Sequence, residues 1–350
     1  MTDWRQRLDA DPIDWLLGED NPSVRAFALT ELLERPVDDP DVVAARQASM
    51  DRGPVPLILE AQHADGYWVK PGHGYAPKYR GTVWSVIVLA QLGADGQHPQ
   101  VRAGCEYLLC HATSSYGGFS VLANRSPAGL IHCLNGNLCS ALLDLGWWGD
   151  ERLARALEWQ ARAVVGEGFA SADAPTAPQR YYKSGTPGPG FLCSANNGLP
   201  CAWGAIKAML AFSRVPDAAR TPLLQRAIDA GLGFLLSRDP AVADYPMGYA
   251  DKPSRSWFRF GFPVFYVTDV LQNLEVLTRF GLSADPRLEG AIQLLLSQQD
   301  KHGRWALRYH YTGKTWVDVE EKGRPSKWVT LRALRVLKRV AEAQATEVGH

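Results

Sequence analysis

One seven-residue pattern, Q-x-x-x-G-x-W, occurs near both ends of the chain, at residues 62–68 and again at residues 299–305. Two weaker copies, in which glycine precedes an aromatic residue without the glutamine, lie between them at residues 116–119 and 166–169. Each copy follows a run whose apolar positions recur at the helical period. A unit that returns along a chain in this way is typical of repeat architectures, so we predict a repeated pair of helices joined by a glycine-aromatic turn.

A more apolar segment follows each turn. These segments begin near Gly81, Ile131, Asn196, Gly261 and Ser326, spaced by 50 residues and then three times by 65. The helices before the turns carry a charged face, as surface helices do, whereas the segments after the turns are largely apolar on every side. This alternation predicts an inner ring of buried helices inside an outer ring of surface helices.

The predicted fold is therefore all-α, a closed (α/α)6 toroid of about six helix pairs. We predict one domain over residues 1–350, because no flexible linker interrupts the repeat. Residues 1–53 would supply helices that form an added first pair, and residues 54–340 would form the repeat region.

The composition excludes several classes of protein. Lys plus Arg and Asp plus Glu both number 37, so no net positive field would hold nucleic acid or an anionic membrane surface. No run approaches the roughly 20 apolar residues that span a bilayer, and the first residues lack the apolar core of a signal peptide. We therefore expect a cytoplasmic protein without a nucleic-acid partner or a membrane-spanning segment. The six cysteines match no C-x-x-C motif.

The two Q-x-x-x-G-x-W runs resemble the QW repeats of squalene and hopene cyclases, in the terpenoid cyclase and protein prenyltransferase superfamily. The resemblance covers roughly residues 50–340 and implies an α/α toroid with a central cavity for an apolar, isoprenoid small molecule. The catalytic signatures do not carry over. The chain lacks the D-x-D-D aspartates of hopene cyclases, and Asp269-Val270-Leu271 stands where prenyltransferases carry their D-x-C zinc ligands.

Polar side chains on otherwise apolar inner segments are the candidates for chemistry, because buried polarity requires a partner or a function. We expect them at the N-terminal ends of the inner helices, around the wide end of the cavity. The predicted catalytic residues are His132, Cys133, Cys201, Tyr266 and Asp269.

Tyr266, Asp269 and Asn273 are interpreted as one stripe of a helix that starts near residue 261. A carboxyl group inside such a helix is costly unless it stays protonated, as a general acid would, or pairs with a cation. A structural salt bridge is the alternative explanation. The candidate cations are Arg80, Arg259 and Lys327.

Aromatic and amide side chains near the same helix ends predict the wall of the cavity. Aromatic faces stabilise positive charge by about 0.5–2 kcal/mol each, which suits a hydrocarbon substrate that gains carbocationic character. Helix capping is the alternative explanation for Asn197. The predicted substrate-binding residues are Tyr79, Trp84, Asn135, Asn137, Asn197, Trp203, Phe262 and Trp328.

Together these residues predict a lyase or isomerase that cyclises, isomerises or dehydrates an apolar small molecule by acid/base chemistry, with no cofactor required. Two alternatives stay open. One is a non-catalytic toroid that carries lipid or serves as a scaffold. The other is a zinc-dependent transferase or addition enzyme, whose ligands would be His132, Cys133, Cys193 and Cys201.

Overall fold

The computed structural model describes residues 4–168 and 190–348 of the chain. Within these ranges the regular structure is helical, and the strand-like pairings in the loops are isolated bridges. The all-α class predicted from the sequence is therefore confirmed. Phe169, the aromatic residue of the last weak turn copy, lies outside the described residues.

Thirteen α-helices follow one another in this part of the chain. In order they are α1 (Ile13–Leu16), α2 (Pro22–Phe27), α3 (Pro40–Asp51), α4 (Pro54–Glu60), α5 (Thr82–Gln91), α6 (Pro99–Ala112), α7 (His132–Asp144), α8 (Glu151–Val165), α9 (Ala202–Phe212), α10 (Pro222–Leu235), α11 (Val270–Arg279), α12 (Glu289–Leu296) and α13 (Lys327–Val348). A π-helical turn, Ala28–Leu32, extends α2. Short 3-10 helices cover Trp4–Arg7, Pro127–Gly129, Ser194–Asn196, Asp217–Ala219, Arg255–Phe258 and Pro286–Leu288.

Six helices form an inner ring around a common centre: α2, α5, α7, α9, α11 and α13. From α5 to α13 each packs against the next, and α13 closes the ring against α2 and its π-helical extension. Between α2 and α5 the ring of Phe27 lies against Gly93, just after α5. Helices α3, α6, α8, α10 and α12 pack outside, each against the inner helix that precedes it. The predicted (α/α)6 toroid is therefore confirmed.

The difference in burial between the two rings explains their difference in sequence. Every residue of α5 from Thr82 to Ala90 is buried, whereas α8 buries one stripe and exposes charged residues such as Glu151 and Arg155. A helix that is apolar on all sides is stable only where other elements cover it, so these helices take the inner positions. The division into an added first pair and a repeat region stays a prediction.

Both Q-x-x-x-G-x-W turns tie the helix that precedes them to the next inner helix in the same way. Trp68 is buried, its indole Nε1 donates to the Ile58 carbonyl at 2.7 Å, and its backbone N–H donates to the Thr82 hydroxyl at 3.1 Å. Trp305 makes the matching two hydrogen bonds, 2.8 and 3.0 Å long. Each tryptophan therefore joins the end of one helix to the start of another.

The turn glycines allow the chain to pass close to a neighbouring segment. Gly66 has φ of +93° and Gly303 has φ of +68°, values that favour glycine. A Cβ atom at these positions would lie 2.6 and 2.0 Å from the carbonyl oxygens of Ala103 and Ala10. Only glycine therefore fits both the backbone conformation and the space.

We expect Trp68→Ala to lower the free energy of unfolding by about 3–5 kcal/mol, because it empties a buried site and removes the indole hydrogen bond. Trp148→Ala is the matched control, since the Trp148 side chain is 50% exposed, and it should change stability by less than about 0.5 kcal/mol. Urea unfolding followed by circular dichroism measures both. Equal losses in the two variants would contradict the role assigned to the turn.

Candidate functional site

A cavity of about 690 Å³ lies at the centre of the inner ring. All six inner helices contribute to its wall, α2 to α11 mainly through residues of their C-terminal halves and α13 through residues of its first half. Residues at or just after the ends of these helices, such as Asp144, Arg214 and Arg279, form its mouth. The cavity therefore opens toward the C-terminal ends of the inner helices, and the expectation that the N-terminal ends surround the wide end is wrong.

One side of the cavity has an aromatic wall. Phe262 and Trp328 stack with their ring centroids 4.2 Å apart and their planes nearly parallel, and Phe27 meets Trp328 edge-on at 6.1 Å. Ile87 and Val264 extend the apolar surface. Three of the predicted substrate-binding residues thus lie on the cavity wall, namely Asn137, Phe262 and Trp328.

The segment before α11 crosses the ring and lines the inner end of the cavity. The Gln91 amide donates to the Val264 carbonyl at 2.7 Å and accepts the Val264 N–H at 2.8 Å. Asn137 donates through Nδ2 to the Phe265 carbonyl at 3.2 Å. Residues 261–268 are not helical, and these side-chain amides satisfy backbone groups of the segment that a helix would otherwise pair. The helix predicted from residue 261 therefore begins only at Val270.

Aromatic side chains fill the N-terminal end of the ring behind this segment. Tyr79, Trp84, Phe265, Tyr266 and Tyr311 form a cluster with neighbouring ring centroids 4.7–5.3 Å apart. Burial raises the pKa of Tyr266 well above its usual range. The predicted roles of Tyr79, Trp84 and Tyr266 stay predictions, and none of the three lines the cavity.

A buried charged cluster adjoins the cavity between α11 and α13. Arg332 donates to the Glu275 carboxylate at 2.7–3.1 Å, and its Nη2 lies 3.4 Å from Asp269 Oδ1. Its Nη1 donates to the Gly261 carbonyl at 2.7 Å. All three charged side chains are almost fully buried, and both Glu275 and Arg332 line the cavity. One guanidinium thus joins two helices and the crossing segment.

Asp269 does not lie inside a helix as the sequence suggested. Its side chain caps α11 by accepting the Gln272 N–H at 2.7 Å, and it also accepts the Gly261 N–H at 3.3 Å. Its cationic partner is Arg332, so the three candidate cations named from the sequence are wrong. Lys327 pairs with Asp20 instead.

A lysine that the sequence analysis missed lies in the same cluster. Lys207 on α9 is 0% exposed, and its ammonium donates to Gln272 Oε1, which also accepts the Thr268 hydroxyl at 2.6 Å. Gln272 in turn lines the cavity. Lys207 and Arg332 were detectable as single charges in apolar inner segments, the same signal that singled out Asp269.

Burial and neighbouring charges move the pKa values of this cluster in different directions. Burial raises the pKa of Asp269 and lowers that of Lys207 to about 7. Burial also disfavours the Glu275 carboxylate, but the charge and hydrogen bonds of Arg332 outweigh it and hold the pKa of Glu275 below its usual range. Glu275 is therefore a fixed counter-ion, whereas Asp269 and Lys207 can exchange protons nearer neutral pH.

The cysteine and histidine candidates lie away from the cavity. The thiols of Cys133, Cys193 and Cys201 are close enough to disfavour each other's ionisation. Burial, reinforced by Cys193, raises the pKa of Cys133 to about 12, so this thiol stays protonated near neutral pH. The His132 ring packs against Trp159 and Phe191 with centroids 5.9 and 5.3 Å away.

The zinc hypothesis gains no support from side-chain geometry. Across residues 4–168 and 190–348, no three or more His, Cys, Asp or Glu side chains converge in a way that could hold a metal ion. Zinc binding by His132, Cys133, Cys193 and Cys201 stays a prediction.

The remaining predicted substrate-binding residues serve the loops. Asn135 accepts the Phe119 N–H at 2.6 Å and donates to the Phe119 and Ile131 carbonyls, the role that Thr82 has at the first turn. Asn197 is exposed and adopts φ of +55°, and Trp203 is half-buried. None of these three lines the cavity.

No family model and no curated protein matches the chain. Among solved structures it is similar to the apo form of the type II terpene cyclase MstE from Scytonema, with a TM-score of 0.45 and 16% identity over 93% of this chain and 88% of that one. A variant of MstE in complex with its substrate geranylgeranyl dihydroxybenzoate gives a TM-score of 0.34 and 14% identity, over 86% of this chain and 97% of that one. A variant of MstE in complex with the product merosterolic acid A gives a TM-score of 0.33 and 14% identity, over 85% of this chain and 97% of that one. In the described part of this chain, no helix has both the length and the apolar character to cross a bilayer.

We expect Arg332→Met to lower the free energy of unfolding by about 3–5 kcal/mol, because it leaves the Glu275 and Asp269 carboxyl groups buried without their cation. Arg287→Met removes an exposed ion pair with Asp285 and serves as the control, with a loss of at most about 1 kcal/mol. Urea unfolding curves measure both losses. A small loss for Arg332→Met would show that the cluster is not the brace that its hydrogen bonds suggest.

The pH dependence of stability tests the pKa of Lys207. The unfolded chain keeps a lysine pKa of about 10.4, so between pH 7 and that value it binds more protons than the folded state. Lys207 therefore destabilises the fold most at pH 7 and below, and this penalty shrinks as the pH rises, by about 1.4 kcal/mol per unit. We expect the stability of wild type relative to Lys207→Met to rise from pH 7 to pH 9. Exposed Lys252→Met should show no such trend, and a constant difference for Lys207→Met would contradict the lowered pKa.

Proposed function

We propose that this protein is an enzyme that binds an apolar, isoprenoid small molecule in its central cavity and cyclises, isomerises or dehydrates it by proton transfer. The cavity volume of about 690 Å³ lies within the range of about 300–1,000 Å³ that small-molecule sites occupy. The stacked Phe262 and Trp328 rings offer π faces to positive charge that develops on a hydrocarbon.

One observation carries the proposal: the aromatic cavity wall continues directly into a buried cluster of titratable groups. Glu275, Gln272 and Arg332 belong to both the wall and the cluster. Perturbed titratable groups beside an apolar cavity are the usual mark of acid/base sites. A cavity that only stored lipid would gain nothing from the cost of burying these charges.

Asp269 and Lys207, which lie behind the cavity wall, are the proposed proton-transferring pair, and Gln272, which lines the cavity, connects them to it. The raised pKa of Asp269 favours a carboxyl group that holds a proton, and the lowered pKa of Lys207 favours an amine that accepts one. Gln272 links them, because its N–H is bound by Asp269 and its side-chain oxygen is bound by Lys207. The fixed Arg332–Glu275 pair keeps the local charge constant while protons move.

Incubation of the purified protein with a series of isoprenoid alcohols, diphosphates and hydrocarbons of 10 to 30 carbons, followed by mass spectrometry, tests the proposal. We expect one product class, whose rate of formation falls about 100-fold or more in Asp269→Asn and in Lys207→Met. Exposed Asp251→Asn and Lys252→Met are the matched controls and should keep the wild-type rate. Wild-type rates in both cluster variants would refute the proposed pair, and co-purified lipid without turnover would favour the carrier.

Metal analysis of the purified protein tests the zinc alternative separately. About one zinc per chain, lost in Cys133→Ser and Cys201→Ser, would favour a zinc-dependent transferase or addition enzyme. Turnover that is unchanged in the same two variants would instead favour the acid/base proposal.

A further inference from the structure

Arginine side chains are concentrated at the mouth of the cavity. They come from four different parts of the ring, and those that line the cavity are Arg46, Arg214, Arg279, Arg332 and Arg335. Three of them already have carboxylate partners: Arg332 binds Glu275, Arg214 binds Asp144, and Arg335 binds Glu31. Within residues 4–168 and 190–348, the Arg279 side chain makes no hydrogen bond or ion pair to another protein group.

Arg279 is surrounded by other cations. It is the last residue of α11, and its side chain is exposed at the mouth. Partial desolvation and then the repulsion of Arg214, Arg339 and Arg335 lower its pKa. A helix C-terminus favours one cation through its dipole. The dipole does not explain why guanidinium groups from the C-terminal ends of α9 and α11 and from the middle of α13 lie near one another, since each one disfavours the others.

A second, independent observation lies beside this group. Nη1 of Arg339, on α13, is buried and has no hydrogen-bond partner within the described residues. Buried polar atoms of this kind are rare, because each costs the free energy of its lost hydration. This unsatisfied donor on α13 lies beside the exposed, unpaired Arg279 side chain of α11, and together they indicate a site that is completed by an acceptor-rich group from outside the chain.

The mouth also adjoins the apolar wall. The guanidinium of Arg335 stacks over the Phe27 ring at 4.8 Å, and Phe27 meets Trp328 of the aromatic wall. Cationic and apolar surfaces therefore follow one another from the mouth to the interior. This sequence of surfaces fits an amphiphile with its charged end outward and its hydrocarbon tail inward.

We propose that Arg279, together with Arg214 and Arg335, binds an oxyanion head group, a phosphate or a carboxylate, on the substrate whose hydrocarbon tail occupies the cavity. This inference rests on the proposed function for the identity of the tail, but the head-group site stands on its own geometry. Guanidinium groups bind both oxyanions through paired, charge-assisted hydrogen bonds.

Three amphiphiles with the same tail test the proposal by calorimetry: dodecyl phosphate, dodecanoate and dodecanol, each below its critical micelle concentration. We expect wild type to bind at least one anionic amphiphile about 10-fold or more tightly than dodecanol, and the better of the two identifies the head group. Arg279→Met should remove this preference and leave dodecanol binding within about twofold, because it deletes only the charged contact. Arg279→Lys should keep part of the preference, since it retains the charge without the paired donors.

Arg287→Met, at an exposed arginine outside the cavity, is the control and should bind all three amphiphiles as wild type does. Equal wild-type affinities for the three, or a parallel loss of all three in Arg279→Met with an unchanged melting temperature, would overturn the head-group site. A retained preference for the anionic amphiphiles in a protein without isoprenoid turnover would refute the proposed function and leave the head-group site in place.

Discussion

The buried interaction between Arg332 and Glu275 is the constraint on which the arrangement of the site depends. It joins α11 to α13, the last two inner helices before the ring closes, and through the Gly261 carbonyl it also holds the segment that crosses the ring. Removing one partner of such a pair destabilises the fold by more free energy than the intact pair contributes, because the remaining charge stays buried in a medium of low dielectric. The Arg332 guanidinium must stay beside Glu275, and it binds the Gly261 carbonyl from there. It therefore fixes the position of the crossing segment and, with it, the inner limit of the cavity.

Much of the fold could be predicted from the sequence, because the ring repeats one local rule. Segments that are apolar on every side must lie inside, and they recur after 50 residues and then every 65, so the toroid follows from burial alone. The open end of the ring could not be predicted in this way. All six inner helices run in the same direction. The pattern of apolar residues is the same at both of their ends, so it does not show at which end the cavity opens. The choice depends on a non-helical segment whose hydrogen bonds come from Gln91 and Asn137, far away in sequence.

The candidate site was predicted only in part, for a related reason. Phe262 and Trp328 were found because aromatic residues near inner helices are expected at a cavity wall. The apolar run around Tyr266 has the composition of an inner helix, so the sequence predicts a helix where the structure has an irregular segment. Asp269 marks the true start of α11, but a carboxyl group that caps a helix and one that lies within it look alike in a single sequence. Lys207 and Arg332 obeyed the rule that identified Asp269, and only their partners in space show their importance.

The two hydrogen bonds between the Gln91 amide and the backbone of Val264 make the floor of the cavity a separate part from its walls. A floor carried by a loop can be raised, lowered or reshaped by substitutions at Val264, whose backbone rather than side chain is bound by Gln91, with little change in how the helices pack. Barrels of this design can thus change the length of molecule they admit at little cost to the scaffold, since chamber depth and ring stability are encoded by different residues.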